Sequence, residues 1–150
     1  MKRSERLQVV LRLYQRREDQ AAEVVSRARG ELDEHERQLQ QLVDYQRDYH
    51  DGANTPGRGV SMAQWRRLQD YIEQLRGIIA QQERQVGLAR VELERAQSVW
   101  QNAHLERRSM ESAIERISKL EQLEQSRQEQ KMLDELIQQQ QQRQRLQGEN

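Results

Sequence analysis

The chain has 150 residues, in which 25 lysines and arginines balance 25 aspartates and glutamates; cysteine and phenylalanine are absent and aromatic residues make up 4%. So little apolar material excludes a compact core of ordinary size, and the balanced charge argues against a general attraction to nucleic acid or membrane. The lack of cysteine excludes disulfides and thiolate catalysis.

The sequence predicts two long helices, over residues 4–50 and 61–147. Stepping alternately four and three residues from Leu7 to Tyr49 visits thirteen positions, of which ten are apolar. The same step from Ser61 to Ile117 visits seventeen positions, of which fourteen are apolar. A period of 3.5 residues held over six or more heptads is typical of helices that wrap around a partner helix. We call these positions the seam.

Residues 51–60 are predicted to form the turn between the helices, because they include Pro56, the only proline, and three of the seven glycines. Ser61 and Gln64 have the spacing of a capping box, which would satisfy the first amides of the second helix. The partner of each helix is therefore expected within the same chain. The predicted fold is all-α, a long two-stranded antiparallel coiled-coil hairpin with unequal arms, in a single elongated domain over residues 1–150.

The favoured register pairs seam residues whose numbers sum to 114, which sets Ala21 against Leu93 and Ala28 against Val86. Large residues then face small ones, as a narrow seam requires. A slip of one heptad is the competing register, and we expect it to lengthen the loop and blur the size matching. In the favoured register residues 112–147 project beyond the hairpin. Their apolar stripe drifts after Ile117, and we interpret a glutamine run at 138–142 as a solvated tail.

No catalytic constellation is found, so we predict neither an enzyme nor a cofactor or metal site. The three histidines are scattered, and His35 occupies a seam position where a packed histidine is the simplest interpretation. We interpret Asp33, Glu34 and Glu36 as a solvated helix face. No apolar run approaches the roughly 20 residues that span a bilayer. A cytoplasmic protein is expected.

One side of the seam carries apolar residues where a plain coiled coil has charged ones. These are Val10, Val24, Tyr45, Tyr71, Ile78 and Val99. In the favoured register Tyr45 is diagonal to Tyr71, which predicts a tyrosine-bearing partner surface near the turn. Two alternatives stay open: a wider seam that buries these residues, or association into a larger bundle.

The first helix begins with an excess of basic residues, and the favoured register brings Arg107 and Arg108 alongside. The basic residues are Lys2, Arg3, Arg6, Arg12, Arg16 and Arg17, against Glu5. Either this is a solvated helix end or it binds an acidic partner. RNA binding is a weaker alternative, because interleaved aromatic residues and glycine-rich motifs are lacking.

The chain resembles the FliJ family of flagellar export proteins. The resemblance is strongest in the segment QLQQLVDYQRDY at residues 38–49, and it continues with Trp65 and YIEQL at residues 71–75. It implies a stalk without enzymatic activity in the flagellar type III export apparatus, similar to the gamma subunit of rotary ATPases. The implied partners are the hexameric export ATPase, the cytoplasmic domain of the export gate and export chaperones, with no nucleic acid and no membrane insertion. The protein would be monomeric when alone and peripherally associated with the cytoplasmic face of the inner membrane.

The resemblance also assigns residues to two contacts. Those expected to face the export gate are Gln38, Leu42, Tyr45, Tyr49, Tyr71 and Leu75. Those expected to face the ATPase ring, on the basis of the basic end, are Arg6, Arg12, Arg107 and Arg108. Two alternatives remain: the equivalent stalk of a virulence-type secretion system, and a structural coiled coil that self-associates through its apolar flank.

Overall fold

The computed structural model describes residues 1–53 and 61–148, and within them the chain forms two helices. Helix α1 is Arg3–Ala53 and helix α2 is Met62–Gly148. The predicted all-α antiparallel coiled-coil hairpin is confirmed. Residues 51–53, predicted to lie in the turn, instead extend α1, and residues 54–60 of that predicted turn lie outside the described residues.

The start of α2 has the capping box predicted from the sequence. The Ser61 backbone N–H donates to Gln64 Oε1 at 3.1 Å, and the Gln64 backbone N–H donates to Ser61 Oγ at 3.2 Å. The Ser61 carbonyl oxygen accepts the first helical bond, from the Trp65 N–H at 2.9 Å. Two amides that a helix start would otherwise leave without helical partners are therefore satisfied, which is why α2 begins at this point.

The buried hydrophobic residues lie on the predicted seam. All eleven that are described as buried fall at its positions: Leu11, Ala21, Ala28, Leu32, Ile72, Leu75, Ile79, Val86, Leu93, Ala96 and Ile114. No polar or charged residue among the described ones is buried. The hydrophobic effect therefore acts on one narrow stripe of each helix, as the 3.5-residue period predicts.

Contacts of the described residues group into two units. One unit consists of residues 17–104, and the other combines residues 1–16 with residues 105–148. Each unit contains a segment of α1 packed antiparallel on a segment of α2.

In the unit of residues 17–104, the register differs from the favoured one by one heptad. Tyr49 packs on Tyr71 with ring centroids 4.8 Å apart, and Glu18 lies 3.2 Å from His104. The residue numbers of these two pairs sum to 120 and 122. Seam residues that face each other here therefore have numbers that sum to 121. The favoured sum of 114 would set Glu18 level with Ala96, eight residues or about 12 Å from His104. The competing register is therefore the observed one.

The observed register also matches residues by size, contrary to the expectation that a slip would blur the matching. A sum of 121 sets Ala28 level with Leu93 and Leu32 level with Ala89. Four of the buried residues that form the core cluster here are Ala28, Leu32, Leu93 and Ala96, and Ala89 packs against it. Large residues again face small ones, so side-chain volume does not distinguish the two registers.

A polar layer in the same unit does distinguish the registers. Gln82 occupies a seam position, and its Nε2 donates to the His35 carbonyl oxygen at 3.0 Å and to Gln38 Oε1 at 3.3 Å. It also lies 3.3 Å from His35 Nδ1. In the favoured register Ala28 and Glu31 would take the places of His35 and Gln38, so Gln82 would lose its contact with the His35 ring. Polar seam residues of this kind set the register of coiled coils.

In the unit of residues 1–16 and 105–148, the pairing of the helices extends further along α2 than predicted. Ile114 is buried at 5% exposure, and the Ser4 hydroxyl donates to Glu121 Oε2 at 2.5 Å. Lys2 Nζ reaches Gln125 Oε1 at 3.5 Å. The prediction that residues 112–147 project is therefore wrong at its start, because residues of α1 contact α2 as far as Glu121 and Gln125. Every residue from 122 to 148 is exposed.

Candidate partner-binding surfaces

Three tyrosines and one isoleucine, from the end of α1 and the beginning of α2, form an exposed surface. We call it the tyrosine patch, and it consists of Tyr45, Tyr49, Tyr71 and Ile78. Their exposed fractions are 59%, 38%, 44% and 49%. Tyr45, Tyr71 and Ile78 occupy heptad positions beside the seam, and Tyr49 is the last seam position of α1; the stripe along which α1 and α2 meet is too narrow to cover them. An amphipathic aromatic surface of this kind is well suited to binding a protein partner.

The aromatic contact in the tyrosine patch differs from the predicted one. Tyr71 packs against Tyr49, edge to face with an interplanar angle of 65°, and the predicted diagonal of Tyr45 with Tyr71 follows from the incorrect register. A hydrogen bond to the Tyr71 hydroxyl raises the pKa of Tyr49, and the proximity of the two phenols adds to the effect. Tyr49 and Tyr71 therefore hold each other in place, whereas Tyr45 is the most exposed of the three.

The remaining residues assigned to the gate-facing side have different environments. Gln38 is exposed and accepts a hydrogen bond from Gln82, and Leu42 is half-buried in the seam. Leu75 is only 5% exposed and packs in the seam. Its side chain can therefore support the surface, but it offers little area to a partner.

The basic residues assigned to the ring-facing side are exposed except for one. Arg6, Arg12 and Arg108 are exposed. Arg107 is half-buried, with 21% of its side chain exposed, and its Nη1 contacts Glu111 Oε1 at 2.6 Å. Acidic and basic residues balance within 105–121 of α2, so the positive charge of this unit comes from residues 1–16 of α1.

The start of α1 is capped by a carboxylate from α2, a feature that the sequence analysis missed. Glu121 Oε1 accepts a hydrogen bond from the Ser4 backbone N–H at 3.1 Å, in addition to the Ser4 hydroxyl bond to Oε2. The hydroxyl and backbone bonds from Ser4, with the charge of Lys2, hold the pKa of Glu121 below its ordinary value. The available signal was an acid at a seam position, where the apolar pattern breaks.

His104 is a second feature outside the predictions. Its ring stacks on Trp100, with centroids 5.0 Å apart and an interplanar angle of 15°, while its Nδ1 lies 3.2 Å from Glu18 Oε1. His35 is half-buried in the polar layer with Gln82, in line with the packed histidine predicted. Among the residues that the structure describes, no three His, Cys, Asp or Glu side chains are placed to hold a metal.

Exposed apolar residues continue along the part of α2 beyond its contacts with α1. Met132, Leu133, Leu136 and Ile137 are 45–64% exposed and share one face of the helix. Acidic, basic and glutamine residues surround them. No part of the two described helices is both apolar enough and long enough to cross a membrane.

Comparison with known proteins identifies the family. The chain matches the family described as Flagellar FliJ protein over residues 2–146. It is 26% identical over 133 residues to a Flagellar FliJ protein of Salmonella typhi, a match that covers 88% of this chain and 90% of the relative. It is 26% identical over 127 residues to the Flagellar FliJ protein of Escherichia coli (strain K12), covering 84% and 86% of the two chains. No solved structure gives a significant match. Because the family match spans nearly the whole sequence, the chain belongs to the flagellar FliJ family.

Proposed function

We propose that this protein is a non-enzymatic coiled-coil stalk of the flagellar type III export apparatus. It links the export ATPase ring to the cytoplasmic domain of the membrane export gate and assists the export of flagellar proteins. ATP hydrolysis belongs to the ring, and the stalk needs no cofactor. Through these contacts the protein is held at the cytoplasmic face of the inner membrane. The family assignment favours the flagellar machine over a virulence-type system.

The observation that carries the proposal is the inequality of the two helices. Helix α2 has 87 residues and α1 has 51, and residues 122–148 of α2 are exposed throughout. A single helix is about 10 Å across, so it can enter a ring bore that would exclude a pair. The apolar face of Met132, Leu133, Leu136 and Ile137 supplies hydrophobic area for contacts inside the ring.

The charge of the first turns of α1 supports the same assignment. Arg6 and Arg12 are exposed in a segment whose only acid is Glu5. Exposed like charges attract an acidic surface at long range and raise the rate of association, and salt weakens that attraction. Arg107 takes less part, since Glu111 already neutralises it. We propose Arg6, Arg12 and Arg108 as the charged contacts that add to the contact of the long helix with the ring.

The tyrosine patch supports a separate contact with the export gate. It lies beside the last turns of α1, whereas the basic residues lie in the first turns. Tyr45 is proposed as the central contact because it is 59% exposed and is not the tyrosine that packs on Tyr71. Gln38 and Leu42 extend the surface, and export chaperones are further partners to which no residue is assigned.

The ring contact is tested by binding to the purified export ATPase. A chain ending at Gln125 keeps every described contact between α1 and α2 and removes the exposed continuation of α2. We expect it to lose most of its binding, while its melting temperature stays near that of the full chain. The full chain with Met132, Leu133, Leu136 and Ile137 changed to glutamine keeps the length of α2 and should also bind less, because it lacks the proposed apolar contact. Undiminished binding by the shortened chain would show that the long helix does not enter the ring.

The gate contact is tested with the isolated cytoplasmic domain of the gate protein. Tyr45→Ala should reduce binding by about tenfold, a typical result for a central aromatic contact. Val91→Ala is the control, because Val91 has a comparable exposure of 42% in the same unit but lies outside the patch. Equal binding by both variants would remove Tyr45 from the interface. Circular dichroism confirms that each variant keeps its helices.

A further inference from the structure

The side of the seam that carries the tyrosine patch continues along the unit of residues 17–104 to a groove that includes no residue assigned to the gate or the ring. The groove of about 420 Å³ runs between the helices, lined on α1 by Val24, Arg27, Ala28 and Glu31 and on α2 by Glu92, Arg95, Ala96 and Val99. Ala28 and Ala96 are buried. Val24 and Val99 are 45% and 61% exposed. The groove therefore has a floor of small residues and rims that carry both apolar and charged side chains.

The α2 rim has a palindromic arrangement. Leu88, Glu92, Arg95 and Val99 lie on one stripe of the helix, with successive spacings of four, three and four residues. Read backwards, the stripe again presents an apolar residue, a charge, the opposite charge and an apolar residue. An antiparallel copy of α2 would therefore set Leu88 against Val99 and Glu92 against Arg95, twice each. The two-fold axis would pass between Glu92 and Arg95.

The α1 rim is consistent with the same axis. If the axis crossed α1 at residue 29, Arg27 of each copy would pair with Glu31 of the other. The observed register, with its sum of 121, sets residue 29 level with residue 92 of α2, within two residues of the axis drawn from the α2 rim. One symmetry operation therefore pairs opposite charges on both rims, as an isologous interface requires, and leaves Val24 opposite Glu34.

The charges also select the orientation of the second copy. A parallel arrangement, face to face, would place Arg27 against Arg95 and Glu31 against Glu92, so that like charges meet. The antiparallel arrangement replaces each of these with an opposite pair. One position further out it sets Gln85 against Asn102, two exposed amides that can hydrogen-bond to each other.

We infer that this face binds a second copy of the chain, antiparallel and about a two-fold axis between Glu92 and Arg95. The association is weak, because Arg95 already contacts Glu92 of its own helix at 3.2 Å and the side chains are 73% and 62% exposed. Each exposed ion pair contributes little to the free energy of binding. The arrangement of charges on the rims therefore determines which partner binds and in which orientation, and adds little affinity. The monomer expected from the sequence is then the form at low concentration.

The first test is sedimentation equilibrium over a range of concentrations at low and high salt. The wild type should show a monomer–dimer equilibrium that high salt weakens. Arg95→Glu sets two carboxylates against each other at two symmetry-related places, since Glu92 of the second copy faces the changed position, and should weaken dimerisation at least about tenfold. Glu92→Arg should do the same. The double variant Glu92→Arg/Arg95→Glu restores opposite pairs in its own dimer and should recover wild-type association, but it should not pair with the wild type.

Disulfide trapping tests the geometry independently, since the natural chain has no cysteine. The double variant Leu88→Cys/Val99→Cys should form covalent dimers under mild oxidation, because its two cysteines face each other across the interface. Glu83→Cys, on the other side of α2, is the control and should not. A wild type that remains monomeric at every concentration, or a charge swap that fails to rescue a single reversal, would overturn the inference.

Discussion

Glu121 of α2 accepts hydrogen bonds from both the backbone N–H and the hydroxyl of Ser4 at the start of α1, at 3.1 and 2.5 Å. A carboxylate at a helix N-terminus satisfies free amides and complements the positive end of the helix dipole. The contact therefore ties the beginning of one helix to a point far along the other.

Glu121→Ala should release the first turn of α1. We expect the Ser4 amide to exchange its hydrogen faster, while amides in the middle of α1 remain unchanged. Glu121→Gln is the control that separates the hydrogen bond from the charge. The amide oxygen of glutamine can still accept a hydrogen bond from Ser4 but carries no charge. Identical exchange in the wild type and Glu121→Ala would show that the cap has no role.

The same cap should depend on pH. The pKa of Glu121 is lowered in the folded chain, so the ionised form stabilises the fold. Its contribution is present above the ordinary glutamate pKa and is lost as the pH falls through the lowered value. The melting temperature of the wild type should therefore exceed that of Glu121→Gln at pH 7 and approach it in acid. A difference that does not change with pH would contradict this assignment.

The phenol pair in the tyrosine patch makes a prediction at high pH. A hydrogen bond with the Tyr71 hydroxyl raises the pKa of Tyr49. Tyr71→Phe removes the bond and keeps the edge-to-face ring contact, so Tyr49 should titrate at a lower pH than in the wild type. Tyr14→Phe, outside the patch, is the control. The measurement is an NMR titration of ring carbon shifts.

Gln82 should set the register at the cost of some stability. Gln82→Leu replaces the polar layer with an apolar one and should raise the free energy of unfolding by about 1 kcal/mol. It should also populate the register one heptad away, because the remaining seam accepts both. Spin-label distances between positions 24 and 97 would show a second population in Gln82→Leu and one in the wild type. A single distance in both would assign the register to other contacts.

Helical glycines offer sites for stabilisation. Gly77 and Gly87 lie within α2, and a Cβ at either position would have open space around it. Gly77→Ala and Gly87→Ala should each raise the free energy of unfolding by about 1 kcal/mol, because alanine loses less conformational entropy in a helix. Leu93→Ala is the contrasting variant: Leu93 is 7% exposed, and its truncation should cost about 2–4 kcal/mol. Urea denaturation measures all three.

The seam was predictable residue by residue, because burial in a two-helix hairpin follows the 3.5-residue period directly. Ile114 and Leu11 are buried as the pattern requires. The register was not predictable from the same pattern, since a slip of seven residues returns every layer to an equivalent one. The register depends on the polar contacts of Gln82 and Glu121. A count of apolar seam positions records these two residues only as exceptions and does not predict their partners.

The tyrosine patch was predictable in composition but not in its internal contacts. Tyr45 and Tyr71 are exposed, as their positions beside the seam indicate. Tyr71 nevertheless packs on Tyr49, because the observed register differs from the predicted one by one heptad. The cap on Ser4 could not be found for the same reason. In the favoured register Ser4 is level with Met110, and Glu121 lies about 16 Å further along α2.

The exposure of residues 122–148 has a thermodynamic consequence. Local polar contacts such as Gln125 to Glu129 and Gln130 to Asp134, both at 3.3 Å, support this stretch, and each is worth only a few tenths of a kcal/mol. Its ellipticity should therefore decline gradually on warming, as in an isolated peptide, well below the sharp melting of the paired helices. A partner that binds residues 122–148 would convert that gradual decline into a cooperative transition. Calorimetry of the free and bound protein would therefore measure, without any label, the fraction of the protein that is bound.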